Sequence, residues 1–457
     1  EIYTFSDTLS LHDALPICCI ISWSASNANE EIGGALTDLL GYKIYKKSAS
    51  LTTDWFYLIA QVDSNILQYA DSGVAIGDSY YYRITAIDNK SVYPNESWYS
   101  DSWAIFTTKT LPQYSGPVWY VNANTGIDGG AGNGSETYPY KSIGYAMNKA
   151  SAGETIMIAA GTYTEAVVID KNNIALIGAD SSTTIIDPPG NYTASNLYGI
   201  YANAKTYLRV SGLRITDCNY GIYFLNVDYS VIDNVQADSS LSSGRAGIYL
   251  YTGCESNTVS NCYLYNNNYG VYLQSNTAKY NTISNNIIAN NITGIYLNQS
   301  NLNILRNNAI RGNSSGSLYL AAAPSNTIAE NSVYENGMGI NLIMSNSNIF
   351  SDNRILNNNN FGFSIRQSSS NQFYGNISKN NNGYGFYIYQ TSPNNIFRYN
   401  ESSSNYGSLG YGFYINASVN NAFYQNTVDS NAQYGIYISS GNGSVFGQNN
   451  FAGGADN

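Results

Sequence analysis

The sequence predicts an all-β chain: a long parallel β-helix preceded by a β-sandwich module. Two observations predict the helix and one the module. A Gly-[Ile/Val/Phe]-Tyr-[Leu/Ile] pattern stands at Gly221, Gly247, Gly270, Gly294, Gly385, Gly412 and Gly435, with looser copies at Ser317, Gly339 and Gly362. Successive copies lie 22 to 27 residues apart, most often 23. A fixed period of this kind marks a solenoid, whose repeats bury their apolar faces only against their neighbours. Within each repeat the apolar runs are short, end in Asn or Gly and carry no helical period. Before residue 110 the pattern changes to longer alternating strands without the repeat.

Residues 1–17 are set aside. Asp7 to Ile17 is the translation, in one frame, of a common short-read sequencing adapter, and Glu1-Ile2-Tyr3-Thr4 translates the adapter preceding it. The segment is read as library sequence rather than protein. That reading removes the single histidine, His12, and implies that the native N-terminus is missing.

Residues 18–109 form the module. Ile21-Ser22-Trp23, Gly41 to Tyr45 and Tyr80 to Ala86 alternate as strands of an antiparallel sandwich. The core Trp early and the late Tyr-x-Tyr-x-Ile-x-Ala strand resemble a fibronectin type III domain. The resemblance implies Trp23 in the core, Tyr80 as corner tyrosine and a lost first strand. Such modules are spacers or docking units. Residues 110–118, containing Pro112 and Pro117, read as a linker.

Residues 119–457 form the β-helix. In the repeat at Gly294, Ile295 and Leu297 share one strand face and Tyr296 takes the other. Asn303 to Asn308 and Ala309 to Asn313 supply two further short strands of the same coil. Asparagines recur in two columns, one through Asn234, Asn286, Asn308, Asn331, Asn353, Asn376, Asn400, Asn426 and Asn449, with Cys262 as exception. The second runs from Asn267 through Asn291, Asn313, Asn336, Asn358, Asn381 and Asn405 to Asn431. Asn tolerates the left-handed corner, and stacked amides donate to one coil and accept from another.

Trp119-Tyr120-Val121-Asn122, the Gly126 to Ser135 loop, Pro139 to Ile143 and the rungs at Gly153 and Gly161 resemble the opening of secreted right-handed β-helix proteins of the pectate-lyase-like superfamily. A short helix from Ser142 to Ala150, with Ile143 and Ala146 inward, is expected to cap the first coil. The resemblance implies a right-handed, single-stranded helix. It implies no single activity, because the fold hosts lyases, hydrolases, epimerases, esterases and non-catalytic proteins. The motifs of its hydrolases (Asn-Thr-Asp, Asp-Asp, Gly-His-Gly), of its alginate epimerases (Tyr-Gly-x-Asp-Pro-His) and of its esterases (Asp-Phe-Ile-Phe-Gly) are absent. A Ca²⁺-dependent polysaccharide lyase is the enzymatic option left.

Composition narrows the partners. Twenty Lys+Arg against 31 Asp+Glu give a net charge of −11, which disfavours nucleic acid and anionic membrane surfaces. Only 11% of residues are charged, while Tyr numbers 44. Polarity therefore comes from Asn, Ser, Thr and Tyr, suited to sugars. No apolar run approaches the roughly 20 residues of a membrane span. The five cysteines lack zinc-type paired spacing.

Two constellations are candidates for function. One is the outward column of Tyr249, Tyr272, Tyr296, Tyr319, Tyr387, Tyr414 and Tyr437, interrupted at Asn341 and Ser364. It is expected either to stack on itself or to form a platform for sugar rings. The other is Glu330 with Asp352, in adjacent coils, with Arg306 and Arg354 near enough in the repeat frame to neutralise both. Two neighbouring carboxylates form either an ion-pair patch or a Ca²⁺ or catalytic site. The expected function is an extracellular or cell-surface monomer that binds polysaccharide or another surface component. No cofactor is required and Ca²⁺ is compatible. The alternatives are the lyase and a non-binding adhesive stalk.

Overall fold

The computed structural model describes residues 19–22, 39–48, 56–71, 79–88, 103–106, 114–190, 197–238, 240 and 244–454. The chain divides into two compact units, residues 1–111 and 112–457.

The first unit is antiparallel. Tyr57–Asp63, Leu39–Ser48, Ser79–Asp88 and Trp103–Phe106 lie side by side in one sheet, and Cys19–Ser22 pairs with Gln68–Asp71 in another. Ile21, Tyr42, Ile44, Tyr80, Tyr82 and Ile84 close its core. Lys46 is buried with them. Its ammonium lies 2.7 Å from the Asp71 carboxylate and 4.1 Å from the centroid of the Tyr80 ring, and the Tyr82 hydroxyl donates to Asp71 at 2.7 Å. A buried ammonium is tolerable only with such partners. Trp23 lies outside the described residues.

The second unit is a parallel solenoid of three sheets with 12, 14 and 13 strands among the described residues. The repeat at Gly294 contributes Thr293–Asn298 to the first sheet, called here the tyrosine sheet, Ile304–Arg306 to the second and Ala309–Arg311 to the third. Every strand pairs with the equivalent strand one coil away. Tyr272 thus lies opposite Tyr296, and Tyr296 opposite Tyr319. Inward residues such as Ile295, Leu297, Leu305 and Ile310 are fully buried and run as aliphatic columns through the core. From Phe350 onward the columns turn aromatic: Phe350, Phe373, Phe397, Phe423 and Phe446 stack at 4.6–4.9 Å, beside Phe363, Phe386 and Phe413. The motif also begins one coil earlier than Gly221, at Tyr198-Gly199-Ile200-Tyr201, in register with it.

The corners correct the expected role of the asparagines. The ladder residues are not the left-handed ones; the residue before each is. Asn307 has φ 53°, Glu330 59°, Asp352 54° and Asn380 56°, each directly preceding a ladder Asn. Asn234 belongs to this left-handed set, at φ 51°, and not to the ladder. Asp233 pairs with Ser260, so Val235 holds the ladder position of Cys262. The ladder side chains turn inward instead. Asn308 Oδ1 accepts both the backbone N–H and the side-chain amide of Asn286, at 3.1 and 3.0 Å. The Asn308 amide donates to Asn331 Oδ1 and to the Ile283 carbonyl, both at 2.9 Å. Cys262 substitutes within this ladder, its N–H donating to Asn286 Oδ1 at 2.9 Å. Among the described residues there are three such ladders, one per corner. The third, Asn257, Asn281, Asn303, Asn326, Asn348, Asn371, Asn395 and Asn421, precedes the second sheet.

The first coil is closed by the helix Ile143–Lys149, which buries Ile143, Ala146 and Met147. Ser142 caps it, accepting from Tyr145 N–H at 3.3 Å. Glu165 accepts the N–H groups of Ile143 and Gly144 at 2.7 and 2.8 Å, where a helix start favours an anion. Asp128 is occupied in the same way, by Lys141 N–H, Ser142 N–H and Ser142 Oγ.

Candidate functional site

The tyrosine sheet sends three columns outward, at the residues one before, two after and four after the motif glycine. The middle column is Tyr201, Tyr223, Tyr249, Tyr272, Tyr296, Tyr319, Asn341, Ser364, Tyr387, Tyr414 and Tyr437. Its rings stack on one another. Tyr223 and Tyr249 are 4.9 Å apart at 23°, Tyr249 and Tyr272 4.8 Å at 10°, and Tyr272 and Tyr296 5.1 Å at 6°. Tyr220, Tyr251 and Tyr269 pack around them. Tyr249 and Tyr272 are only 7% and 8% exposed, whereas Tyr437 is 38% exposed. Both ring faces of Tyr249 and Tyr272 are therefore covered, and this stretch offers edges and hydroxyls. The hydroxyls are tied to the flanking column: Tyr249 donates to Gln274 Oε1 at 2.5 Å and Asn298 donates to the Tyr272 hydroxyl at 3.3 Å. Burial pushes the Tyr296 hydroxyl up to about 12.

The stack breaks at Asn341 and Ser364, and the rings on either side turn. Tyr319 stands at 66° to Tyr296 and Tyr387 at 78° to Tyr414. Tyr387 instead stacks on Tyr389, 4.0 Å away at 5°.

Glu330 and Asp352 occupy a different place. Both sit at the left-handed corner between the second and third sheets, in neighbouring coils. This is the one corner that the tyrosine sheet does not share. Burial and the Glu330 charge raise the Asp352 carboxyl to about 7. Burial raises Glu330 as well, against the Arg306 guanidinium and a hydrogen bond from Asn307. Arg354 is exposed and sets neither carboxyl. The next corner residue is Gly375, whose added Cβ would fall 2.5 Å from Asp352 Oδ1. Arg306 is the arginine that acts on the pair, and the raised Asp352 carboxyl eases its repulsion. No group of three or more His, Cys, Asp or Glu gathers among the described residues.

Cys218, Cys254 and Cys262 are buried free thiols, each raised by burial to about 12. Cys262 takes the Val235 N–H in place of an Asn oxygen.

This is a right-handed parallel β-helix, and residues 276–409 match the family described as right handed beta helix region. Residues 147–336 and 362–457 match a second family, described as periplasmic copper-binding protein (NosD), and the chain belongs to that family. A comparison with curated proteins finds no match. Among solved structures, the periplasmic alginate epimerase AlgG, as a double mutant, is similar at 14% identity, covering 65% of this chain and 77% of that one, TM-score 0.47. XylC in complex with xylose is similar at 11% identity over 73% and 86%, TM-score 0.48. A mannuronic acid specific polysaccharide family 6 lyase from human gut microbiota is similar at 13% identity over 64% and 79%, TM-score 0.47. These are likenesses of fold.

The described cysteines do not fit the copper of the family description. Copper takes thiolate, thioether or imidazole ligands. The three thiols are separately hydrogen-bonded inside the core and held protonated. His12, Cys18 and the side chain of Cys19 lie outside the described residues.

Proposed function

We propose that this chain is an extracytoplasmic β-helix that binds polysaccharide along its tyrosine sheet. The carrying observation is the interrupted tyrosine wall: a file of phenol groups at the strand spacing of about 4.8 Å, replaced in its column only at Asn341 and Ser364, with Tyr319 beside the break at 66° to Tyr296. From Tyr198 to Tyr437 the three outward columns contain no acidic residue. Tyrosines locked by stacking supply contact area and hydroxyls at little cost in side-chain entropy. The family description favours a location outside the cytoplasm. The fibronectin-like first unit then serves as spacer or docking module, with residues 18–109, 110–118 and 119–457 as module, linker and binding helix.

Sugar rings stack on aromatic faces, so the contact falls to Tyr319 and Tyr437 more than to Tyr249, Tyr272, Tyr296, Tyr387 and Tyr414. Affinity electrophoresis of the full chain through gels containing polysaccharide tests this. Tyr319→Ala and Tyr437→Ala are expected to weaken retardation about tenfold, near 1.4 kcal/mol. Tyr272→Phe, which keeps the stack, is expected to leave it unchanged. Equal retardation of all variants would remove the tyrosine wall from the account.

The near-neutral Asp352 beside Glu330 favours a second reading, the Ca²⁺-dependent lyase, with one carboxyl able to exchange protons at physiological pH. Release of unsaturated ends from acidic polysaccharide, stopped by chelation and by Asp352→Asn, is its test.

A further inference from the structure

Resting on the glycan-binding reading, we infer that the break at Asn341 and Ser364 is a built subsite for one acidic sugar residue, whose carboxylate is taken by Arg366. Tyrosine fills this column in every other coil from Tyr201 to Tyr437, and the motif glycines Gly339 and Gly362 persist where it is replaced. The two replacements are polar. Asn341 Oδ1 and Ser364 Oγ are enclosed yet have no hydrogen-bond partner, and Ser364 is only 1% exposed. Buried polar groups are normally paired, and two orphans side by side on an outward face need an explanation. A ligand bearing hydroxyl groups supplies both a donor and an acceptor.

The surroundings define the class of ligand. Arg366 lies two residues beyond Ser364 on the same strand and so on the same face. Its Nε donates to Gln390 Oε1 at 2.7 Å, which fixes the guanidinium beside the break. Its charge also reaches the Tyr319 hydroxyl. It is the single cation in the three outward columns between Tyr198 and Tyr437, where no acid opposes it. A guanidinium matches a carboxylate in geometry as well as charge. Tyr319, at 66° to Tyr296, and Tyr387, stacked on Tyr389 and at 78° to Tyr414, stand on either side. Both orphan atoms are enclosed, so admission of a sugar requires a neighbouring side chain to move.

The test uses the full chain and two probes, alginate and polygalacturonate, each beside its carboxyl-reduced neutral form, in titration calorimetry. At least one acidic form is expected to bind about tenfold more tightly than its neutral counterpart. Asn341→Tyr and Ser364→Tyr, which restore the column, are expected to abolish that preference while leaving the melting temperature unchanged or higher. Arg366→Gln is expected to erase the preference and keep the neutral binding; it carries the test if the tyrosine variants fail to fold. Equal binding of acidic and neutral forms, or a preference that survives Arg366→Gln, overturns the subsite and spares the glycan reading. Failure of every form to bind overturns both.

Discussion

Each ladder asparagine serves the coil before it and the coil after it. Replacing Asn331 by Ala strips the acceptor from the Asn308 backbone N–H and side-chain amide, at 3.0 and 2.9 Å, leaving two buried donors unpaired. The expected cost is about 1–3 kcal/mol, read as a lower urea midpoint, with a smaller loss for Asn449→Ala in the half-exposed last rung. Asp352 gives a pH signature. Its folded pKa is raised from the ordinary carboxylate range to about 7. The folded chain therefore holds a proton that the unfolded chain has released, and stability falls as pH rises from about 4 through about 7. Asp352→Asn is expected to flatten that fall and to raise the melting temperature at pH 8. The ladders were legible in the sequence as a period, but not which Asn does what. Corner and ladder residues are adjacent and often both Asn, as in Asn285-Asn286, Asn307-Asn308 and Asn380-Asn381. Periodicity cannot separate them; the sign of φ does. The column from Asn257 to Asn421 carried the same period and could have been found.

At the scale of elements, the three strands of a coil share one volume. Where the first two strands bring Phe363 and Phe373, the third brings Ser378; where they bring Phe386 and Phe397, it brings Ser402. Both serines are buried and donate to the carbonyls of Gly385 and Gly412 at 2.9 Å. Ser378→Ile, a return to the aliphatic type of Ile355 one coil earlier, is expected to overpack and cost about 1–3 kcal/mol. The same substitution made together with Phe373→Leu is expected to recover most of the loss. Strand positions and their inward and outward residues followed from alternation and the glycine beat, and the capping helix from the resemblance of the entry segment to other β-helix openings. The ring stacking did not. Alternation says that Tyr272 points outward, whereas its burial depends on the rotamers of Tyr249 and Tyr296 one coil to either side.

For the whole molecule, the two candidate constellations share coils but not a surface. A polymer laid along the tyrosine sheet cannot also reach the corner that carries Glu330 and Asp352, because that corner joins the other two sheets. Folding a linear repeat into three faces is what separates them. The binding account therefore predicts retention without chemistry. Its most direct test is to incubate the full chain with acidic polysaccharide, with Ca²⁺ or with chelator, and to follow gel retardation and the ultraviolet absorbance of unsaturated ends together. Retardation that survives chelation, with no rise in absorbance, is the predicted result. A rise in absorbance that chelation abolishes would contradict it and return the function to the Glu330–Asp352 corner.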